Sequence, residues 1–149
     1  MFHIVLLAPE IPHNAGAAGR LSLATGSTLH LIKPLGFSLD DKHVRRAGLD
    51  YWQDVDVHVW DDLPALQAAQ PAGRFWFLST KGTQSHWDTS FQPGDFLVLG
   101  SEARGLPESL LAANAGRVLR IPMQESSTRS LNLATSAAVV IYEAWRQNR

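Results

Sequence analysis

Phe96-Leu97-Val98-Leu99-Gly100-Ser101-Glu102-Ala103-Arg104-Gly105-Leu106-Pro107 decides how the rest of the chain is read. Four apolar residues without polar alternation describe a strand buried on both faces, as in a parallel sheet. The strand breaks into a loop bracketed by Gly100 and Gly105 and closed by Pro107. Further on, Arg117-Val118-Leu119-Arg120-Ile121-Pro122 reads as another strand, and Arg129-Ser130-Leu131-Asn132 precedes a long apolar helix. Two strand ends and one helix start therefore come together in the last third of the chain, a placement suited to a small charged ligand.

Working outward, the same alternation runs through the whole sequence. Phe2 to Leu7 is a short apolar strand ending at Ala8-Pro9, and Asn14 is placed to cap a helix of small residues and leucines that Gly26 stops. Thr28 to Ile32 is the second strand. Lys42 to Ala47 reads as a short polar helix, with Asp40 and Asp41 ahead of it and bases toward its end, as the helix dipole favours. Val55, Val57 and Val59 alternate with polar residues and predict a half-exposed strand near an edge. Asp61 or Asp62 caps a helix to about Gln70, Arg74 to Leu78 is a buried strand, and Ser79 to Pro93 reads as loop with one turn of helix.

Phe96 to Leu99, Pro107 to Ala113, Val118 to Ile121 and Asn132 to Arg146 complete the series as strand, helix, strand and helix. Strands alternating with helices define an α/β domain with a mostly parallel sheet. In such sheets ligands bind beyond the carboxyl ends of the strands, here Leu78-Ser79, Leu99-Gly100 and Ile121-Pro122.

With 149 residues and ordinary composition, a single domain is expected over 1–149, with no second domain. The chain carries neither a leader-like N-terminus nor an apolar run long enough to span a bilayer, which points to the cytoplasm. The absence of cysteine removes disulfides, thiolate metal sites and cysteine nucleophiles. A net charge of −1 argues against coating nucleic acid by charge alone, while leaving room for a local basic patch.

The familiar phosphate-binding fingerprints are missing, and His3, His13, His30, His43, His58 and His86 lack metal-ligand spacing, so no metal is expected. Gly100 serves either a tight turn or close approach of a ligand to the backbone. Ser130 and Asn132 are caps by default, and anion or carboxylate holders in the sharper reading. Arg20, alone in a small and apolar helix, suits a snorkelling surface residue better than a catalytic one. The basic cluster Lys42, Arg45 and Arg46 suits a solvated face; with Lys33, His43 and Arg129 it could meet phosphates. The final helix is apolar on both sides, with Leu133, Ala137, Val140, Ile141 and Ala144 on one face and Ala138, Val139, Tyr142 and Trp145 on the other. A symmetric dimer through this helix explains that pattern, and burial in a larger monomer core is the alternative.

Taken together, Asn14-x-Gly16-x-x-x-Arg20, Leu99-Gly100-Ser101-Glu102-x-x-Gly105-Leu106-Pro107, and Ile121-Pro122-Met123 with Arg129-Ser130-Leu131-Asn132-Leu133 resemble the three motifs of the SPOUT superfamily of S-adenosylmethionine-dependent RNA methyltransferases. Pro9 to Pro12, Asp40 to Lys42, Arg45 to Tyr51 and Thr80 to Thr83 are similar to the branch that methylates the ribose 2′-hydroxyl of the tRNA wobble nucleotide, cytidine or uridine 34. The resemblance spans essentially the whole chain. It implies a parallel sheet with a C-terminal trefoil knot, a homodimer through the C-terminal helix, S-adenosylmethionine as cofactor, and the anticodon stem-loop, of leucine tRNAs in particular, as partner. By position, Leu78, Gly100, Ile121 and Ser130 would contact the cofactor. Arg20, Ser130, Asn132 and Tyr142 would serve catalysis, and Lys33, Arg45, Arg46 and Arg129 would touch RNA. Other members of the superfamily act on other tRNA or rRNA nucleotides, and a non-catalytic RNA-binding domain would share the fold.

Overall fold

The computed structural model describes every residue except Asp41, His43, Arg45, Ala47, Gly48 and Thr128, together with the side chains of all but Leu49, Asp50 and Tyr51 among the remainder. The described residues form a seven-stranded sheet in which every strand pairing is parallel. Its strands are β1 (His3–Leu7), β2 (Thr28–Ile32), β3 (Val57–Trp60), β4 (Phe75–Leu78), β5 (Gln84–Ser85), β6 (Phe96–Leu99) and β7 (Val118–Arg120). The spatial order is β3-β2-β1-β6-β4-β7-β5, so the decisive strand β6 sits in the middle, between β1 and β4. All four residues of β4 and of β6 are buried, as strands covered on both faces must be.

Successive side chains point to opposite faces and build two cores. Ile4, Leu6, Leu29, Leu31, Leu97 and Leu99 pack with Ala18 of α1 (Pro12–Thr25) and with Leu133, Ala137, Val140, Ile141 and Ala144 of the final helix. Val5, Ile32, Phe75, Phe77, Phe96 and Val98 face the other way, onto Leu63 and Leu66 of α2 (Leu63–Ala69) and onto Leu106. The short α3 spans Glu108–Ala113 and the final helix, α4, spans Leu133–Gln147. Asp62 caps α2 by accepting the Ala65 N–H, and Gly26 ends α1 at φ 64°, the left-handed region that glycine enters without strain.

Three local expectations are corrected. Helix α1 begins at Pro12, with Ile11 at its cap position and no side-chain cap of its own, so Asn14 lies inside the first turn. Proline tolerates that start because its missing N–H would be unpaired there anyway. The stretch from Ser79 to Pro93 holds the short edge strand β5 in addition to a 3-10 turn at His86–Asp88. A two-residue strand is too brief for any periodicity to reveal. Strand β7 ends at Arg120, which leaves Ile121 one residue beyond it. The predicted polar helix from Lys42 to Ala47 falls partly outside the described residues; Lys42 and Arg46 are exposed and Val44 is buried.

Candidate functional site

An open pocket of about 500 Å³ lies where β4, β6 and β7 end. Its floor and walls come from Leu78, Leu99, Gly100, Ile121 and Leu133, and its polar rim from Ser79, Ser130 and Asn132. The sheet explains why these distant residues meet. Parallel pairing sets Leu78 beside Leu99 and Leu119, so the chain leaves three neighbouring strands at one end.

Backbone contact holds those exits together. A Cβ on Gly100 would collide with the backbone of Gly105 and Leu106, and one on Gly82 would lie 2.6 Å from the Leu119 carbonyl carbon. Gly100 is therefore required by the loop's own return, not by the approach of a ligand. Gly105 closes that return at φ 67°, donating its N–H to the Ser101 carbonyl at 2.9 Å.

Glu102, at the tip of the loop, ties it to α1. One carboxylate oxygen accepts the Glu10 N–H at 2.7 Å, and the other accepts the Ile11 N–H at 2.8 Å and the Asn14 side-chain amide at 3.1 Å. The segment that enters the helix is thus held by a side chain from a distant part of the chain. Asn14 then accepts a hydrogen bond from the Asn132 amide at 3.0 Å, while the Asn132 oxygen caps α4 by accepting the Thr135 N–H at 3.1 Å. Partial burial alone would raise the Glu102 carboxyl; the bonds from Glu10, Asn14 and Ile11 outweigh it and hold the group below its ordinary value. Loop, α1 and α4 are joined by one continuous polar chain along the pocket wall.

Of the residues singled out in the sequence, Leu78, Gly100, Ile121, Ser130 and Asn132 line this pocket. Arg20 does not; it is exposed on α1, two turns beyond Asn14. Tyr142 is also exposed and away from the pocket of its own chain. Lys33 pairs with Asp61 at 3.3 Å on the surface, Arg46 and Arg129 are exposed, and Arg45 lies outside the described residues. Asn14 and Lys81 are pocket residues that motif reading placed among a helix cap and a family stretch without a role. The histidines His3 and His30 are hydrogen-bonded: Trp60 donates to His30 Nδ1 at 3.0 Å, so His30 donates from Nε2 to His3 at 2.9 Å. Burial, followed by the neighbouring His3 and His58, lowers the His30 pKa to about 4.

A parallel α/β architecture with a pocket of mixed polar and apolar lining at its strand ends is the arrangement in which sheet-end loops bind a small organic ligand. Residues 1–142 match the SpoU rRNA methylase family, and the chain belongs to it. A tRNA (cytidine(34)-2′-O)-methyltransferase of Saccharophagus degradans is 54% identical over 151 residues, covering 99% of this chain and 96% of that protein. A solved structure described as giving structural insights into the 2-OH methylation of C/U34 on tRNA superposes with a TM-score of 0.94 at 46% identity, covering 99% and 96% of the two chains. The fold is shared with the SpoU methyltransferase AviRb from Streptomyces viridochromogenes in complex with the cofactor AdoMet, at a TM-score of 0.84 and 23% identity over 98% of this chain and 57% of that one.

Proposed function

We propose that this chain methylates the ribose 2′-hydroxyl of the wobble nucleotide, cytidine or uridine 34, in tRNA, using S-adenosylmethionine. The observation that carries the reading is the convergence of Leu78, Gly100, Ile121, Ser130 and Asn132 on one pocket in a chain of this family. The pocket's volume and its mixed lining, apolar at Leu78, Leu99, Ile121 and Leu133 and polar at Ser79, Ser130 and Asn132, fit a nucleoside-sized ligand of that kind. When bound, S-adenosylmethionine supplies a methyl group already activated by its sulfonium. The protein then has to place a hydroxyl in line with it and offset the hydroxyl's charge.

Leu78, Gly100 and Ile121 would hold the cofactor through strand-end backbone, with Ser130 at the rim. Asn132 positions that rim through its bond to Asn14. Arg20 would bind the neighbouring phosphate and polarise the hydroxyl, since a guanidinium keeps its proton too firmly to act as an ordinary base. Arg20 and Tyr142 both lie outside the pocket of their own chain, and Val139 and Tyr142 expose apolar surface on α4, at 37% and 48%. These facts support a homodimer through α4 in which a second copy brings such groups to the site. The order β6-β4-β7, with the Gly100 loop and Gly82 pressed onto neighbouring backbone, supports a C-terminal trefoil knot. Lys33, Arg45, Arg46 and Arg129 would meet the anticodon stem-loop, a cytoplasmic partner, and leucine tRNAs are the substrates first to be tried.

The test is to incubate the purified protein with labelled S-adenosylmethionine and bulk tRNA and to map the modified nucleotide. Label at ribose 34 is expected; label at another nucleotide, or on rRNA alone, would refute the wobble assignment. Arg20→Ala should bind S-adenosylhomocysteine as the parent does and lose about 100-fold or more in transfer, as removal of a charge-stabilising donor does.

A further inference from the structure

Lys81 stands at the junction of two hollows. It lines the main pocket and also an adjoining one of about 350 Å³, whose other walls include Gly82, Leu111, Ala112 and Val118. Its ammonium donates to the Glu108 carboxylate at 2.7 Å, and both side chains are largely exposed, at 63% and 84%. Glu108 borders the smaller hollow only. The ion pair therefore forms part of the partition between the two spaces.

The charges around the main pocket are few. Lys81, Glu102 and Arg104 are its charged lining residues, and Glu102 is occupied by three donors from α1 and the chain leading into it. What the pocket has to offer a charged ligand is cationic, and Lys81 already holds a carboxylate at its mouth. A compact ammonium on a flexible stem can exchange one carboxylate for another without any backbone movement. An exposed pair of this kind contributes little to stability, so releasing Glu108 costs little.

We infer that Lys81 receives the carboxylate of the ligand's amino-acid tail, taking it in place of Glu108, and so selects ligands that carry that tail over the bare nucleoside thioether. The inference rests on the cofactor reading above. Ligand contact on one side and Glu108 on the other make Lys81 a specificity-determining residue, with Glu108 as an internal competitor.

Calorimetry without RNA tests this with two probes, S-adenosylhomocysteine and 5′-methylthioadenosine, which differ by the amino-acid tail. Lys81→Met is expected to weaken S-adenosylhomocysteine about fivefold, the upper range for an exposed charge pair, and to leave methylthioadenosine unchanged. Glu108→Gln is expected to move the other way, tightening S-adenosylhomocysteine alone, so the inference stays testable if the lysine variant folds poorly. Equal effects on both probes would overturn it, as would a Lys81→Met protein that keeps its S-adenosylhomocysteine affinity and loses affinity for tRNA, which would place the ammonium on phosphate. Failure of the parent protein to bind either probe would overturn the cofactor reading itself, and this assignment with it.

Discussion

Strand β6 is flanked by two carboxylates that use the same device for different ends. Asp95, just before it, is 2% exposed and accepts Arg74 Nε and Nη2 at 2.9 and 2.8 Å, the Trp76 indole N–H at 2.9 Å and the Gln92 N–H at 2.9 Å. Glu102, just after it, accepts three donors from α1 and its approach. Asp95 gathers Arg74 and Trp76, at the start of β4, and the turn that leads into β6; Glu102 fastens a loop to the start of a helix, with the Ala103 N–H donating to the Glu10 carboxylate at 3.1 Å beside it. The first is an element of the core, whereas the second shapes a rim that a ligand must enter. The difference lies in what each carboxylate's donors are otherwise attached to.

That contrast breaks most easily at Asp95. Asp95→Ala leaves the Trp76 N–H and the Gln92 N–H without their acceptor and the Arg74 guanidinium with the Ser90 carbonyl alone of its acceptors here, and loss of the buried partner costs about 3 kcal/mol. Urea denaturation should show that loss, with the fraction still folded binding S-adenosylhomocysteine as the parent does. Loss of affinity out of proportion to unfolding would remove the distinction between the two ends of β6.

How far the sequence discloses this arrangement depends on range. The apolar runs of β1, β2, β4 and β6 announce a parallel sheet because burial on both faces leaves no room for polar alternation. Gly26 and Asp62 behave as local signals should, since each needs only its neighbours in the chain. Asn14 reads as a cap for the same local reason, yet its side chain answers to Glu102 and Asn132, which are 88 and 118 residues away. No periodicity carries information across that distance. Gly100 suits two roles by sequence alone, and what decides between them is the backbone of Gly105 and Leu106 filling its Cβ direction. The order of the strands, with β7 inserted between β4 and β5, is equally a property of tertiary packing.

Glu102→Ala should cost less than the Asp95 change, about 2 kcal/mol for bonds to a charged acceptor, because Glu10 and Ile11 can turn to water. Its larger effect should be on binding of S-adenosylhomocysteine, since the loop and the start of α1 lose three of the bonds between them. Acid offers the same test without mutation. The Glu102 carboxyl is held below its ordinary value of 4.5, so its contribution is complete above that value and is lost as pH falls through the lower folded value. His30 acts earlier: held neutral down to about 4 against an ordinary 6.5, it makes stability fall as pH drops across that interval. Affinity of the folded protein that held steady while the Glu102 carboxyl took up its proton would argue against Glu102 as the organiser of the rim.

The smallest effect separates two jobs of one side chain. Asn132 caps α4 through its oxygen and bridges to Asn14 through its nitrogen. Asn132→Ala removes both and should cost about 1 kcal/mol, the usual worth of an N-cap. Asn132→Asp keeps an acceptor for the Thr135 N–H and places negative charge at a helix start, so stability should return to near that of the parent. The carboxylate cannot donate to the Asn14 oxygen, however, and the polar chain from Glu102 to α4 stays cut. If the pocket rim depends on that chain, the aspartate variant will denature like the parent and bind S-adenosylhomocysteine like the alanine variant. Recovery of both together would mean that capping alone sets the rim, and that the Glu102 network ends at α1.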